Sequence, residues 1–517
     1  MLLGLAIAAT AVLLRASRLG WALSDGTCFP DEIFWSQRAA LFVPLSWSAF
    51  AGDALVDPYP ALYGILTGLA AAAAHALGVS PFGQPELDAM LAARVVSAVT
   101  GVATVGLVWL LARRLDSQAV AVAAAALMAV VPLHVMQTYY ASVDVVLTAC
   151  VALVTLTAYA VVTRSGTWHA TLLGAAAGLA FASKYTGLAM LATAGLAVAE
   201  RALHDRSLRR GLALGSAAAA GFVAAVALAC PPCVLRSGAM LAAMRYHSER
   251  AAHPEDFIIN HLVPSLGWYG RPWLYQLVAA LPYVLGWPVY GLVLLGVAAA
   301  VRRRDAGDRV LLATVVPYFA AIGASRVTLL RYLLPMFPAM VVLAARSAPM
   351  LPGRRTWAGL VAGASLYALA LSVTQIARYS MEPRMALARW VASLSSPRRP
   401  LRVAVPETLH PYALLAGPFL RVGISYIPVP DGAWFASAPD VFVLPELHEV
   451  AIRRDRPGSA AADELARLEA GALPYRVAQR FPSWYLQRDL YIRLDPGFAI
   501  SEGGMGYTVW VHEPSVP

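Results

Sequence analysis

The sequence predicts a mainly α-helical, polytopic membrane bundle followed by a small soluble α/β domain. Three observations lead there. Of 517 residues, 59% are hydrophobic and only 14% are charged, against roughly 25% charged in ordinary globular chains; mean hydropathy is +0.62. Apolar runs long enough to cross a bilayer recur from the N-terminus to about residue 375. From about residue 376 they give way to short strand-like and helix-like segments.

The run 2–14 is short and lacks a small-residue cleavage site, so it is expected to be an uncleaved first span. Residues 21–87 form a first outer loop with interfacial helices. This loop carries Asp31-Glu32, Asp53, Asp57-Pro58 and Tyr59-Pro60-Ala61-Leu62-Tyr63, then an apolar run to Leu77. Further spans are expected near 92–111, 119–135, 145–162, 168–182, 187–198, 211–229, 273–300, 310–323, 333–345 and 357–374. That makes about eleven spans, of roughly 20 residues each. A membrane domain at 1–375 and a soluble domain at 376–517 follow. In the latter, 381–395 and 460–469 read as helices, and 401–406, 440–445, 475–481 and 507–512 as strands.

The net charge of +10 would suit nucleic acid, but the arginines gather at the ends of apolar segments, a membrane-orientation pattern. Arg113-Arg114, Arg164, Arg201, Arg206, Arg209, Arg210, Arg302-Arg303-Arg304 and Arg354-Arg355 fall on alternate connections, which the positive-inside rule makes cytoplasmic. Asp31, the 134–144 turn, Lys184, the 236–271 loop, the 325–332 turn and the C-terminal domain then lie outside a cytoplasmic (inner) membrane. A crossing by 61–77 would reverse every later side, so this segment is expected to lie in or along the interface. Cys230-Pro-Pro-Cys233 has redox spacing, but it closes an apolar span without thioredoxin-like strands. It reads as two small residues at a proline-broken helix end, and a disulfide framework is not indicated.

The spans carry almost no ionisable residues at mid-depth, where a transporter would be expected to bury them. Candidate groups gather at the outer ends instead, which suits a substrate with one lipid part and one polar part. Adjacent Asp31 and Glu32 would point to opposite sides of an extended loop, so only one faces a given pocket. Flanked by Phe29, Phe34 and Trp35, that acid is either a partly desolvated base or a solvated loop residue beneath an aromatic belt. Asp144 is either a cap answering a helix dipole or a substrate contact. Lys184 either snorkels or meets a phosphate as a point charge. Arg326 and Arg331 offer bidentate phosphate grips or interfacial anchors. His247, His253 and His261 lack metal-site spacing and read as solvated loop residues. With no Walker or dinucleotide pattern, any sugar transfer must draw on a donor already activated on lipid.

These stretches resemble the GT-C class of integral membrane glycosyltransferases, which includes the protein O-mannosyltransferases and the lipid A aminoarabinose transferases. Pro30-Asp31-Glu32 is similar to the class's acidic first-loop motif and Tyr59-Pro60-Ala61-Leu62-Tyr63 to its Pro-Leu-Tyr segment. Ala93-Arg94-Val95-Val96-Ser97-Ala98 resembles the start of its second span. Ala141-Ser142-Val143-Asp144 sits where a second acid is common, Gly178 to Gly187 resembles its Lys-Tyr break, and Arg331-Tyr332-Leu333-Leu334-Pro335 its late motif. The chain departs at Asp57-Pro58, where relatives often carry Lys or His. The resemblance implies a polyprenyl-phosphate sugar donor, a lipid, glycan or protein acceptor, and inverting transfer with Asp31 as catalytic base. It implies Lys184 and Arg331 as phosphate contacts, Asp144 as orienting group, and Glu32, Tyr59 and Tyr332 as lining. No cofactor is required, although Asp31 with Asp144 would suffice to hold a divalent cation. The competing class is a transporter or flippase of lipid-linked sugars that breaks no bond.

Overall fold

Six helices among the described residues are long and apolar enough to cross a membrane, or seven if a sharply bent pair counts as one. The structure is a computed structural model. It describes residues 2–21, 23, 30–43, 45, 50, 59–164, 166–252, 272–325, 329–378, 383–395, 400–406, 424–455, 457–482 and 506–513. In chain order the helices are α1 (Leu2–Ala16), α2 (Pro30–Ala40), α3 (Leu62–Ala76), α4 (Pro85–Leu115), α5 (Gln118–Val130), α6 (Pro132–Gln137), α7 (Val143–Thr163) and α8 (Thr167–Ser183). There follow α9 (Met190–His204), α10 (Leu208–Ala229), α11 (Pro231–Leu235), α12 (Ser237–Ala252), α13 (Pro272–Leu285), α14 (Trp287–Arg303), α15 (Ala306–Gly323), α16 (Phe337–Ala345), α17 (Arg354–Arg378) and α18 (Pro383–Leu394).

Two compact units form. Met1–Leu19, Phe34–Ala252 and Tyr269–Val373 make the helical one. The second holds, of the described residues, those within Gly20–Ile33 and Thr374–Pro517.

In the helical unit the arginine-rich connections meet at one end of the bundle. The Arg346 guanidinium, just past α16, pairs with Asp116 after α4 (3.2 Å), Asp305 before α15 (2.7 Å) and Asp308 in its first turn (2.8 Å). Arg303 at the end of α14 also grips Asp308 (2.7 Å) and donates to the Arg346 carbonyl. Arg309 pairs with Glu200 of α9, and Arg201 donates to the Val162 carbonyl at the end of α7. Connections expected on one side of the membrane are therefore physically one layer.

The segment 61–77 does not run toward that layer. Tyr63 at the start of α3 meets Ala93 and Ser97, while Ala71 packs with Ala89 and Ala92. α3 thus lies antiparallel to the N-terminal third of α4. Its 15 residues make about 22 Å of helix, short of the roughly 30 Å hydrocarbon core.

Several expectations are corrected or sharpened. Of the expected spans, 2–14, 119–135 and 168–182 correspond to helices shorter than 18 residues, as does the 333–345 segment within a short apolar helix over Leu330–Ala345. The 273–300 span is two helices meeting at 120°. Gly286 makes that corner with φ +80°, a conformation L-residues with a Cβ resist. Asp31-Glu32 is not extended: Pro30 opens α2, fixing φ where a first helical turn needs it. Cys230 and Cys233 form a disulfide, because the proline pair turns the chain between α10 and α12 and brings their Cα atoms to 5.3 Å.

The second unit contains a five-stranded sheet, β1 (Leu401–Pro406), β2 (Ile424–Val429), β3 (Val441–Pro445), β4 (Tyr475–Phe481) and β5 (Tyr507–His512), in the order β2-β1-β3-β5-β4. β1 runs parallel to β2 and β3, and β5 antiparallel to β3 and β4. Period-two alternation sends Val403, Val443 and Val509 to one face, against Leu387 and Val391 of α18. Ala404, Phe442 and Trp510 go to the other, with Ile452 of α19 (Glu446–Asp455) and Leu465 and Leu468 of α20 (Ala460–Glu469). The sequence reading missed β2 and α19.

Candidate active site

The site begins with how α7 starts. Ser142 precedes it, and its backbone N–H donates to Ser97 Oγ (3.1 Å), which also meets Tyr63 Oη (2.8 Å). Ser142 Oγ donates to Gln137 (3.0 Å). Asp144 is thereby held in the first turn of α7, where the unpaired N–H groups favour an anion. It is 2% exposed.

Two cations converge on it. Lys184 is where α8 stops: its backbone is extended before the 3₁₀ turn Tyr185–Ala189, and its Nζ donates to Asp144 Oδ1 at 2.8 Å. Arg331, in the 3₁₀ segment Leu330–Met336, places Nε 3.8 Å from Oδ2. The Lys184 ammonium also lies 4.5 Å from the Tyr332 ring centre and 5.6 Å from that of Tyr59, within range of a cation–π attraction.

An aromatic wall adjoins it. Tyr59 stacks on Trp35 (5.8 Å) and on His247 (5.3 Å), and Trp35 meets Tyr63 edge-on (4.6 Å). Tyr185 also contacts His247. Arg38 donates to the Tyr59 carbonyl (3.4 Å) and lies over the Phe34 ring (4.1 Å).

Of the seven residues singled out, five meet here: Tyr59, Asp144, Lys184, Arg331 and Tyr332. Glu32 is fully buried. Asp31 shares its helical turn, but the Asp31 side chain, like Arg326, His253 and His261, lies outside the described residues. His247 is corrected: it is half-buried on α12 against two tyrosines, not a solvated loop residue. Arg38 was missed. Had Pro30 been read as a helix start, Phe34, Trp35 and Arg38 would have fallen on one face by i, i+3 and i+4 spacing. No such signal pointed to His247. Among the described residues, no three His, Cys, Asp or Glu side chains gather as a metal site.

Residues 82–233 match the family model described as dolichyl-phosphate-mannose-protein mannosyltransferase. This stretch contains Ser97, Ser142, Asp144 and Lys184. Among solved structures it is similar to ArnT from Cupriavidus metallidurans bound to undecaprenyl phosphate, at 14% identity and TM-score 0.47, covering 98% of this chain and 97% of that one. It is also similar to the oligosaccharyltransferase AglB from Archaeoglobus fulgidus in complex with an inhibitory peptide and a dolichol-phosphate, at 14% identity and TM-score 0.47, covering 78% and 62%. The protein O-mannosyltransferase Pmt1-Pmt2 of S. cerevisiae is 21% identical with TM-score 0.34, covering 48% and 34%. No curated protein sequence matches.

Proposed function

We propose that this enzyme moves a sugar, with inversion, from a polyprenyl-phosphate donor to a hydroxyl on a lipid, glycan or protein acceptor. The reaction takes place at the outer face of a cytoplasmic membrane. The observation that carries this reading is the convergence of Lys184 and Arg331 on Asp144 against the wall of Tyr59 and Tyr332. It lies at the bundle end away from the arginine-rich layer, and residues 82–233 match a family model described as dolichyl-phosphate-mannose-protein mannosyltransferase.

The acceptor hydroxyl gives its proton to Asp31 as its oxygen attacks the anomeric carbon. The bond from that carbon to the phosphate oxygen breaks, and its electron pair leaves on the polyprenyl phosphate. Lys184 and Arg331 stabilise the phosphate charge through preorganised donors. A single displacement inverts the anomeric centre. Asp144 holds the two cations in place.

The test is transfer by the purified, reconstituted protein from polyprenyl-phosphate sugars to candidate acceptors. Asp31→Asn is expected to abolish bond cleavage while donor binding persists. Full transfer by that variant would sink the assignment, and sugar movement across the vesicle without cleavage would favour a transporter.

A further inference from the structure

The cysteine pair at the end of α10 is a motif that the transfer chemistry leaves unused. Cys230 closes α10, and Cys233 lies in α11, which turns the chain into α12; the two form a disulfide. Both are buried, at 0% and 4% exposure. They adjoin the aromatic wall. Their cluster holds Ala61, two residues past Tyr59, together with Ala182 and Tyr185 on either side of Lys184. The Ala61 N–H, ahead of the first turn of α3, donates to Cys230 Sγ at 3.4 Å.

Helix α12 reaches the same wall from the far side of the turn. Of residues 237–249, only Ala243 is buried and only Met240, Met244 and His247 are half-buried. These four fall at i, i+3, i+4 and i+7, one narrow helical stripe. Met240, Ala243 and Met244 pack on the cluster of the disulfide, and His247 stacks on Tyr59 and Tyr185. A helix with so few buried apolar contacts belongs to the part of a protein that opens locally. A cross-link at its root restricts the opened state and so opposes opening.

We propose that Cys230–Cys233 is a redox-modification site that locks α12: bonded, it keeps His247 on Tyr59 and Tyr185; reduced, it releases that side of the wall. The reductant is a dithiol, which meets the sulfurs when α12 opens. One of its thiolates attacks a cysteine sulfur, and its second thiol resolves the mixed disulfide. Two electrons and two protons thereby pass from the dithiol to the cysteines. On the proposed outer face, an oxidising environment makes the bonded form the resting one. The effect on catalysis rests on the transfer function proposed above; the lock itself does not.

The test uses the full-length protein in detergent with Cys28 and Cys150 replaced, so that thiol titration reads only this pair. Excess dithiothreitol is expected to convert it to two thiols. Amides within 237–252 should then exchange hydrogen for deuterium at least ten-fold faster, while those of α5 keep their rate. Reoxidation with oxidised glutathione should restore the bond and the slow exchange. Cys233→Ser, which keeps the Cys230 sulfur for the Ala61 N–H, should exchange at the fast rate without reductant. Transfer from a polyprenyl-phosphate sugar should fall at least ten-fold in the reduced protein. Exchange is read without substrate, so a protein that transfers no sugar still reports the lock. The proposal is overturned if dithiothreitol leaves the bond intact, if α12 exchanges alike in the bonded, reduced and Cys233→Ser forms, or if α5 quickens as much as α12. Undiminished transfer by the reduced protein would overturn it equally.

Discussion

Asp144 and Lys184 are 2% and 4% exposed, so their 2.8 Å contact is a buried ion pair, and the two partners cannot be removed one at a time without penalty. Truncating Asp144 to Ala leaves an ammonium buried beside Arg331 with no carboxylate. The expected loss is about 3–5 kcal/mol, read as an earlier thermal transition in detergent. The paired change Asp144→Leu/Lys184→Met should recover most of that stability, because apolar replacement of a whole buried pair is often neutral. Activity should not return with it: in the proposed mechanism the leaving phosphate would then lack a preorganised cation, and kcat is expected to fall by roughly 10²–10³. A double variant that transfers sugar normally would show Lys184 to be structural. The sequence made Asp144, Lys184 and Arg331 visible as breaks between apolar runs on one predicted side. It could not show that they touch, because their contact joins the ends of α7 and α8 to a 3₁₀ segment nearly 150 residues later.

At the scale of elements, α8 packs closely against α10, and glycine makes it possible. A Cβ on Gly174 would sit on the Ala218 carbonyl, one on Gly221 on the Thr171 carbonyl, and one on Gly178 2.7 Å from the Phe222 carbonyl oxygen. Small residues let membrane helices approach this closely, where packing and not water drives association. Since α8 ends at Lys184, this contact also sets the cation's height. Gly174→Val is therefore expected to lower thermal stability by more than the usual overpacking cost of about 1–3 kcal/mol and to reduce transfer as well. Gly195→Ala on α9, where an added Cβ meets nothing within 4 Å, is the control and should be neutral or slightly stabilising. Equal effects from the two would refute the packing argument. Helices of this kind were legible from apolar runs. α2 was not, because its mixed sequence Pro30-Asp31-Glu32-Ile33-Phe34-Trp35 carries no long apolar face to mark a helix. β2 lay behind a proline and neighbouring polar residues, Ile424-Ser425-Tyr426-Ile427-Pro428-Val429, and is held by parallel pairing with β1, a partner that no local pattern reveals.

For the whole molecule, the alternation of arginine-rich connections was the most informative feature of the sequence. Its physical counterpart is the layer joining Asp116, Arg303, Asp305, Asp308 and Arg346. Cysteine placed at Gln84, ahead of α4, is expected to react with a membrane-impermeant maleimide in intact cells. Cysteine at Arg302 should react only after permeabilisation, both measured with Cys28 and Cys150 replaced. Labelling of the second from outside would invert the topology and remove the proposed site from the outer face. The number of crossings was less legible, since a broken span such as α13–α14 and a straight one have the same composition.

The arginine layer has a consequence for biogenesis. Arg346 is 230 residues beyond its partner Asp116, a distance the ribosome covers in about 10–50 s. Until then the carboxylates of Asp116, Asp305 and Asp308 lack their shared guanidinium, and that end of the nascent bundle stays unlocked. A message truncated before codon 346 yields a protein whose helices are inserted but whose latch is missing, a difference that a membrane quality-control protease could act on.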